Sequence, residues 1–132
     1  VYTALGYPAL TQYWVRKTRN ELFSARPDGL PGDEDNGSLA AWYIFGAMGL
    51  YPLSPGVPQY VAGTPLFKRM TVHLEDGKDL VIEAANTSDA NQYVAGLQLD
   101  SAAVNTLYVS HEQIAAGCTL SFDMTDQPAA EV

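Results

Sequence analysis

Apolar and polar positions follow a helical period early in the chain and a strand period later, with the change near residue 52. From about Pro8 to Ser24, Leu10, Tyr13, Trp14, Thr18 and Leu22 recur at helical spacing. Arg16, Lys17, Arg19 and Glu21 populate the other face, and Pro8 suits a first-turn position. Arg26-Pro27-Asp28-Gly29 reads as a turn and Pro31-Gly32 as a second. A second helix is predicted from Leu39 to Gly49, with Asn36 or Ser38 as N-cap. Its sequence, LAAWYIFGAMG, is apolar all round, and such a helix is normally buried on every side. Either the β half packs over it, or its partner helices lie in sequence outside this chain.

Residues 52–66 hold Pro52, Pro55, Pro58 and Pro65 and read as a rigid connector, since proline restricts φ and Gly-Ser tracts are absent. Strands are predicted at Met70–Leu74 and Leu80–Ala84, joined through Glu75-Asp76-Gly77-Lys78, a hairpin loop with Asp-Gly at its centre. Tyr93–Leu99, Thr106–Val109 and Thr119–Met124 complete the set. Between the last two, Ser110-His111-Glu112-Gln113 has the form of a helix start, giving a single turn that stops at Gly117. Short antiparallel strands at this spacing point to a small sandwich, so the fold class is α+β.

The 132 residues suffice for one compact domain or two small subdomains around one core, and 47% of them are hydrophobic, which argues against disorder. Fifteen acidic against seven basic residues give a net charge of −8. With no basic stripe, a nucleic-acid surface is excluded as a partner. No apolar run is long enough for a membrane span, and no signal peptide is visible. The chain opens at Val1 rather than Met, so it reads as an excised piece of something longer. One cysteine, Cys118, permits no internal disulfide and reads as a small buried hydrophobe in a strand.

The densest chemistry lies in Gly29-Leu30-Pro31-Gly32-Asp33-Glu34-Asp35-Asn36-Gly37-Ser38, which runs directly into the apolar helix. Like charges repel and carboxylates are costly to bury, so a purely structural loop has little reason to gather three of them. A helix N-terminus offers unpaired N–H groups and a partial positive charge that keep carboxylates ionised, a suitable place for a general base. If the loop is extended, Asp33 and Asp35 project to one side while Glu34 points away. Metal binding, acid/base catalysis and plain helix capping could each use the pair. A calcium loop of the EF-hand type is disfavoured: with Asp33 as position 1, Ser38 falls where the required glycine belongs and Ile44 where the bidentate glutamate belongs.

Other candidates are weaker. His73 and His111 are far apart in sequence with no clustered Cys or Asp, and each reads as a satisfied structural histidine. Trp14 and Trp42 could stack on a sugar ring, although aromatics at helical spacing are usually core. Asn36-Gly37-Ser38 and Asn86-Thr87-Ser88 match the glycosylation sequon, a triplet common by chance.

The run GLPGDEDNGSLAAWYIFGAMGLYPLSPGVPQYVAGTPLF resembles the signature near the C-terminal end of glycoside hydrolase family 92. The likeness extends upstream through Leu10-Thr11-Gln12-Tyr13-Trp14-Val15-Arg16 and downstream through Leu74–Lys78 and Ser110-His111-Glu112 to Met124. The resemblance implies a C-terminal fragment of a calcium-dependent exo-acting α-mannosidase, with mannose-containing glycans as substrate and α-1,2 linkages favoured. It also implies that residues 1–51 are the last helices of an (α/α)6 barrel. Residues 52–132 then form the Pro/Gly-rich connector and an antiparallel β region. The missing upstream catalytic segment would supply the general-acid Glu and the partner helices. The general base falls to the acidic loop, with Asp35 the first choice and Asp33 its partner. Calcium is implied as cofactor, with no ligand assignable to a residue of this chain, and a secreted or periplasmic location is implied as well.

Asn36, Ser38, Leu39 and Ala40 stand where many relatives carry Cys, Gln, Met and Ser, which bears on linkage preference. Asp33 stands where relatives often have Asn. The alternatives from other classes are a carbohydrate-binding module that holds sugar without cleaving it and a structural accessory domain packed on a catalytic partner.

Overall fold

The computed structural model describes residues 1–128. A single 3-10 turn, Tyr2–Leu5, leads into α1 (Pro8–Leu22), whose proline occupies the first turn as its sequence predicts. The acidic loop connects α1 to α2 (Ser38–Met48), which ends at Gly49 in the left-handed conformation. Eight strands follow: β1 (Leu50–Tyr51), β2 (Gln59–Ala62), β3 (Arg69–His73), β4 (Asp79–Glu83), β5 (Tyr93–Leu99), β6 (Ala102–Val104), β7 (Tyr108–Ser110) and β8 (Cys118–Thr125). The short helix α3 (His111–Ala115) lies between β7 and β8.

The mixed helix-and-strand class is as expected, and the two sheets do share one core. The three-stranded sheet has the order β1-β2-β7 and the five-stranded sheet the order β3-β4-β8-β5-β6. Leu50, Ala62 and Val109 from the first meet Leu80, Ile82, Val94, Leu97, Leu120 and Phe122 from the second in a single apolar cluster, with Met48 of α2 and Ile114 of α3 at its margin. Burial alternates along β8, where Cys118, Leu120, Phe122 and Met124 all point inward. Desolvation there raises the thiol of Cys118, in keeping with its reading as an inert buried side chain.

Two expectations are corrected, and the orientation of α1, which the sequence left open, is fixed. The β region is not wholly antiparallel, because β8 inserts between β4 and β5 and runs parallel to β4. The stretch 52–66 is not only a connector, since β2 lies inside it and pairs with both β1 and β7. The face of α1 turned onto the rest of the chain is the one that bears Gln12, Arg16 and Arg19, all buried, while Leu10, Trp14 and Leu22 are exposed and so is Glu21 on the charged side.

The reason for this orientation is a set of backbone polar groups that converge on the helix from distant segments. The Gln12 carboxamide oxygen accepts from the Val94 N–H at 3.1 Å. Arg16 donates to the carbonyl oxygens of Ser88 and Pro65 and to the Thr87 hydroxyl. Arg19 donates to the carbonyls of Gly46 at 3.0 Å and Thr64 at 3.3 Å. Buried carbonyls need donors, and two guanidinium forks supply several at once. Through these bonds α1 clamps the C-terminal end of α2 and the loops after β2 and β4 into one unit.

Candidate acidic site at the start of helix α2

The bend from Asp33 to Ser38 is not extended. Asp35 and Asn36 have φ of 52° and 59°, and Gly37, which immediately precedes α2, has φ of 94°. Three consecutive left-handed residues reverse the chain sharply. Asp and Asn tolerate this region better than other L-residues, and Gly enters it freely. The sequence Asp-Asn-Gly is therefore what permits the reversal. The residue before the helix is Gly37, which carries no side chain to cap it, so neither Asn36 nor Ser38 serves as N-cap.

Glu34 takes that function. Its Oε1 accepts the Ala40 N–H at 3.1 Å, and its backbone oxygen accepts from Ser38 at 3.0 Å and Leu39 at 3.3 Å. These are among the free N–H groups at the start of α2, so the carboxylate also lies against the positive end of the helix. The side chain is half-buried and Oε2 is shielded from solvent with no donor among the described residues. Glu34 is thus set apart from the two aspartates, though by a left-handed turn and not by the extended loop that the spacing assumed. Glu34 turns in onto the helix, and Asp33 and Asp35 on either side of it are left exposed. The left-handed run at Asp35, Asn36 and Gly37 is the signal by which the sequence could have revealed this.

Beside the bend, Phe23, Ser24, Leu30, Ala40, Tyr43 and Ile44 line a mainly apolar groove of about 380 Å³ that neither aspartate enters. Ile44 is 54% exposed and no residue of α2 before Gly46 is buried, so that part of the helix lacks the cover its composition calls for. Only Gly46, Ala47 and Met48 of that helix are buried. Trp42 stacks on Phe23 with ring centroids 5.4 Å apart, whereas exposed Trp14 lies under the Lys17 ammonium at 5.5 Å.

The remaining candidates do not join the site. His73 is exposed and bonds Asp79 at 2.7 Å, and His111 pairs with the Tyr60 hydroxyl at 3.1 Å on another edge. Asn86 is fully engaged with β8, donating to the Met124 carbonyl and accepting the Met124 N–H. Among the described residues no group of three or more His, Cys, Asp or Glu side chains could hold a metal ion.

Comparison with known proteins gives first a class and then a family. The relatives that this chain matches are glycoside hydrolases, and the family model described as the glycosyl hydrolase family 92 catalytic domain matches residues 1–126. The chain belongs to glycosyl hydrolase family 92. A structure of the family GH92 alpha-mannosidase BT3965 from Bacteroides thetaiotaomicron, in complex with mannoimidazole, is similar with a TM-score of 0.93 and 32% identity, over 97% of this chain and 17% of that one. The GH92 inverting mannosidase BT2199 from the same species gives 0.86 and 39% identity, over 93% of this chain and 17% of its own. An uncharacterized secreted glycosidase of Arthroderma benhamiae is 26% identical over 127 residues, 94% of this chain. This chain spans 16% of that relative's length.

Proposed function

We propose that this chain is the part of an inverting α-mannosidase that carries the general base, with Asp35 in that role and Asp33 beside it. Supporting this reading is the acidic bend itself: a reversal fixed on a helix N-terminus that presents two free carboxylates at an exposed surface. The uncovered side chains Leu10, Trp14, Leu22 and Ile44 fit helices packed within a larger (α/α)6 barrel. In that division residues 1–51 close the barrel and residues 52–132 carry the β region.

Inversion requires acid and base on opposite faces of the sugar, with roughly 6.5–9.5 Å between the carboxyl groups to admit a water. Asp33 and Asp35 are sequence neighbours on one bend, so they are not the acid and base of one displacement. Asp35 removes the proton of the water whose oxygen bonds to the anomeric carbon. Asp33 orients that water. The leaving oxygen takes its proton from a general-acid Glu in sequence outside this chain. The substrate class is terminal α-mannosides of glycans, α-1,2-linked in the first instance, and the location is secreted or periplasmic. A calcium ion, which would bind sugar hydroxyls, does not find a donor cluster among the described residues, so most of its ligands would come from elsewhere.

Proton NMR of the full-length enzyme acting on an aryl α-mannoside tests the reaction class. The mannose released first is expected to be the β-anomer, relaxing to the α/β mixture by mutarotation. First release of the α-anomer contradicts inversion, and the absence of any hydrolysis contradicts the enzyme reading.

A further inference from the structure

We infer that Glu34, rather than either aspartate, is the positioning residue of the acidic bend: its carboxylate acts through reach and acceptor geometry to hold Asp35 in place. This rests on the reading of Asp35 as base.

Three observations carry it. Asp35 and Asn36 sit in a left-handed backbone, which Asp and Asn tolerate but which is uncommon for any L-residue and rarer still for two in succession. Most of the bonds across the bend converge on Glu34, from the amides of Ser38 and Leu39 to its carbonyl and from the amide of Ala40 to its Oε1. The Ser38 amide also reaches the Asp35 carbonyl at 3.3 Å, and the Ala41 amide reaches that of Gly37. The residue directly ahead of the helix is Gly37, which has no side chain to share the task. Glu34 is joined to Asp33 and Asp35 by single peptide links, so any movement of its backbone displaces both. A misplacement of about 1 Å in a catalytic group costs on the order of a hundredfold in rate.

The three acids thus divide the work. Two face outward for chemistry and the middle one is consumed in holding them. Because its Oε2 has no donor among the described residues, the negative charge of Glu34 is not used in an ion pair there. What matters is one acceptor oxygen at the correct distance from the Ala40 amide.

The test separates acceptor from bulk and charge. In the full-length enzyme, Glu34→Gln keeps a side-chain oxygen of the same reach and removes the charge. Glu34→Met keeps the length and removes the acceptor. The expected result is kcat within about threefold of the parent for Glu34→Gln, against a loss of about tenfold to a hundredfold for Glu34→Met, with KM changed by less than about threefold in both. A purely structural role would lower the thermal midpoint of Glu34→Met without this kcat-selective loss. Should Glu34→Met fail to fold, Glu34→Asp takes its place, since it keeps an acceptor but falls short of the Ala40 amide. In that variant a kcat loss of about tenfold or more with KM within about threefold supports the proposal, and near-parental kcat overturns it. A kcat loss beyond tenfold in the Gln variant overturns the proposal, as does near-parental kcat in a folded Met variant. Failure of the base reading is seen separately, as undiminished turnover of Asp35→Asn.

Discussion

Asp35→Asn in the full-length enzyme is expected to lower kcat by about 10²–10⁴-fold, with KM and the thermal midpoint close to the parent's. Asn has the shape of Asp and can still accept a hydrogen bond from water, but it cannot take the proton. It also suits the left-handed backbone that Asp35 occupies at φ 52°, so the bend survives the change. Since Asp35 is exposed and makes no side-chain hydrogen bond to the described residues, no packing is lost. Steady-state kinetics on an α-mannoside, with a melting curve alongside, measures it. A kcat within about threefold of the parent removes Asp35 from the mechanism. The same change at Asp33 is expected to cost less, because orienting a water is a smaller contribution than accepting its proton.

Arg19→Met is expected to give the largest stability loss, about 2–4 kcal/mol, because it strips two buried carbonyl oxygens of their donors. Arg19 is 2% exposed, and its fork holds the Gly46 carbonyl near the end of α2 and the Thr64 carbonyl beyond β2. Desolvation, with the neighbouring Arg16 cation, lowers its pKa to about 10 while Tyr43 opposes the shift. At neutral pH the guanidinium is therefore charged. Its burial costs stability below pH 10, a cost relieved as the pH rises past that value. Replacing a buried cation with an apolar side chain removes that cost, which is why the net loss is smaller than two orphaned carbonyls alone would give. Denaturant titration of the full-length protein reads the difference. Unchanged stability would mean that the carbonyl bonds merely offset the desolvation of the charge.

Elements fixed by local signals were legible in the sequence. Asp76-Gly77 sets the turn between β3 and β4, whose register runs from Arg69 opposite Glu83 to His73 opposite Asp79. The capping box of Ser110 and Gln113 starts α3 where the sequence places it. Strand β5 was read at its observed bounds. What stayed hidden depends on partners distant in sequence. Periodicity shows that α1 has two faces but not which one turns inward, and the acceptors for Arg16 and Arg19 come from the loops around residues 64–65 and 87–88. The prolines around β2 mask a four-residue strand whose pairing comes from β1 and β7. The place of β8 between β4 and β5 leaves no trace in alternation, because a buried strand reads the same beside either neighbour. In the acidic loop the residue types were legible and their division of labour was not. The extended-chain rule places Asp33 with Asp35, whereas the left-handed turn at Asp35–Gly37 makes Glu34 the helix-binding member.

Azide rescue of Asp35→Ala in the full-length enzyme puts the general-base assignment to its most direct trial. Azide needs no deprotonation, so its nitrogen can bond to the anomeric carbon without a base while the general acid still protonates the leaving oxygen. The expected result is a slow variant whose rate rises with azide and whose product is β-mannosyl azide. A rate indifferent to azide, with no azide in the product, would contradict Asp35 as the group that activates water.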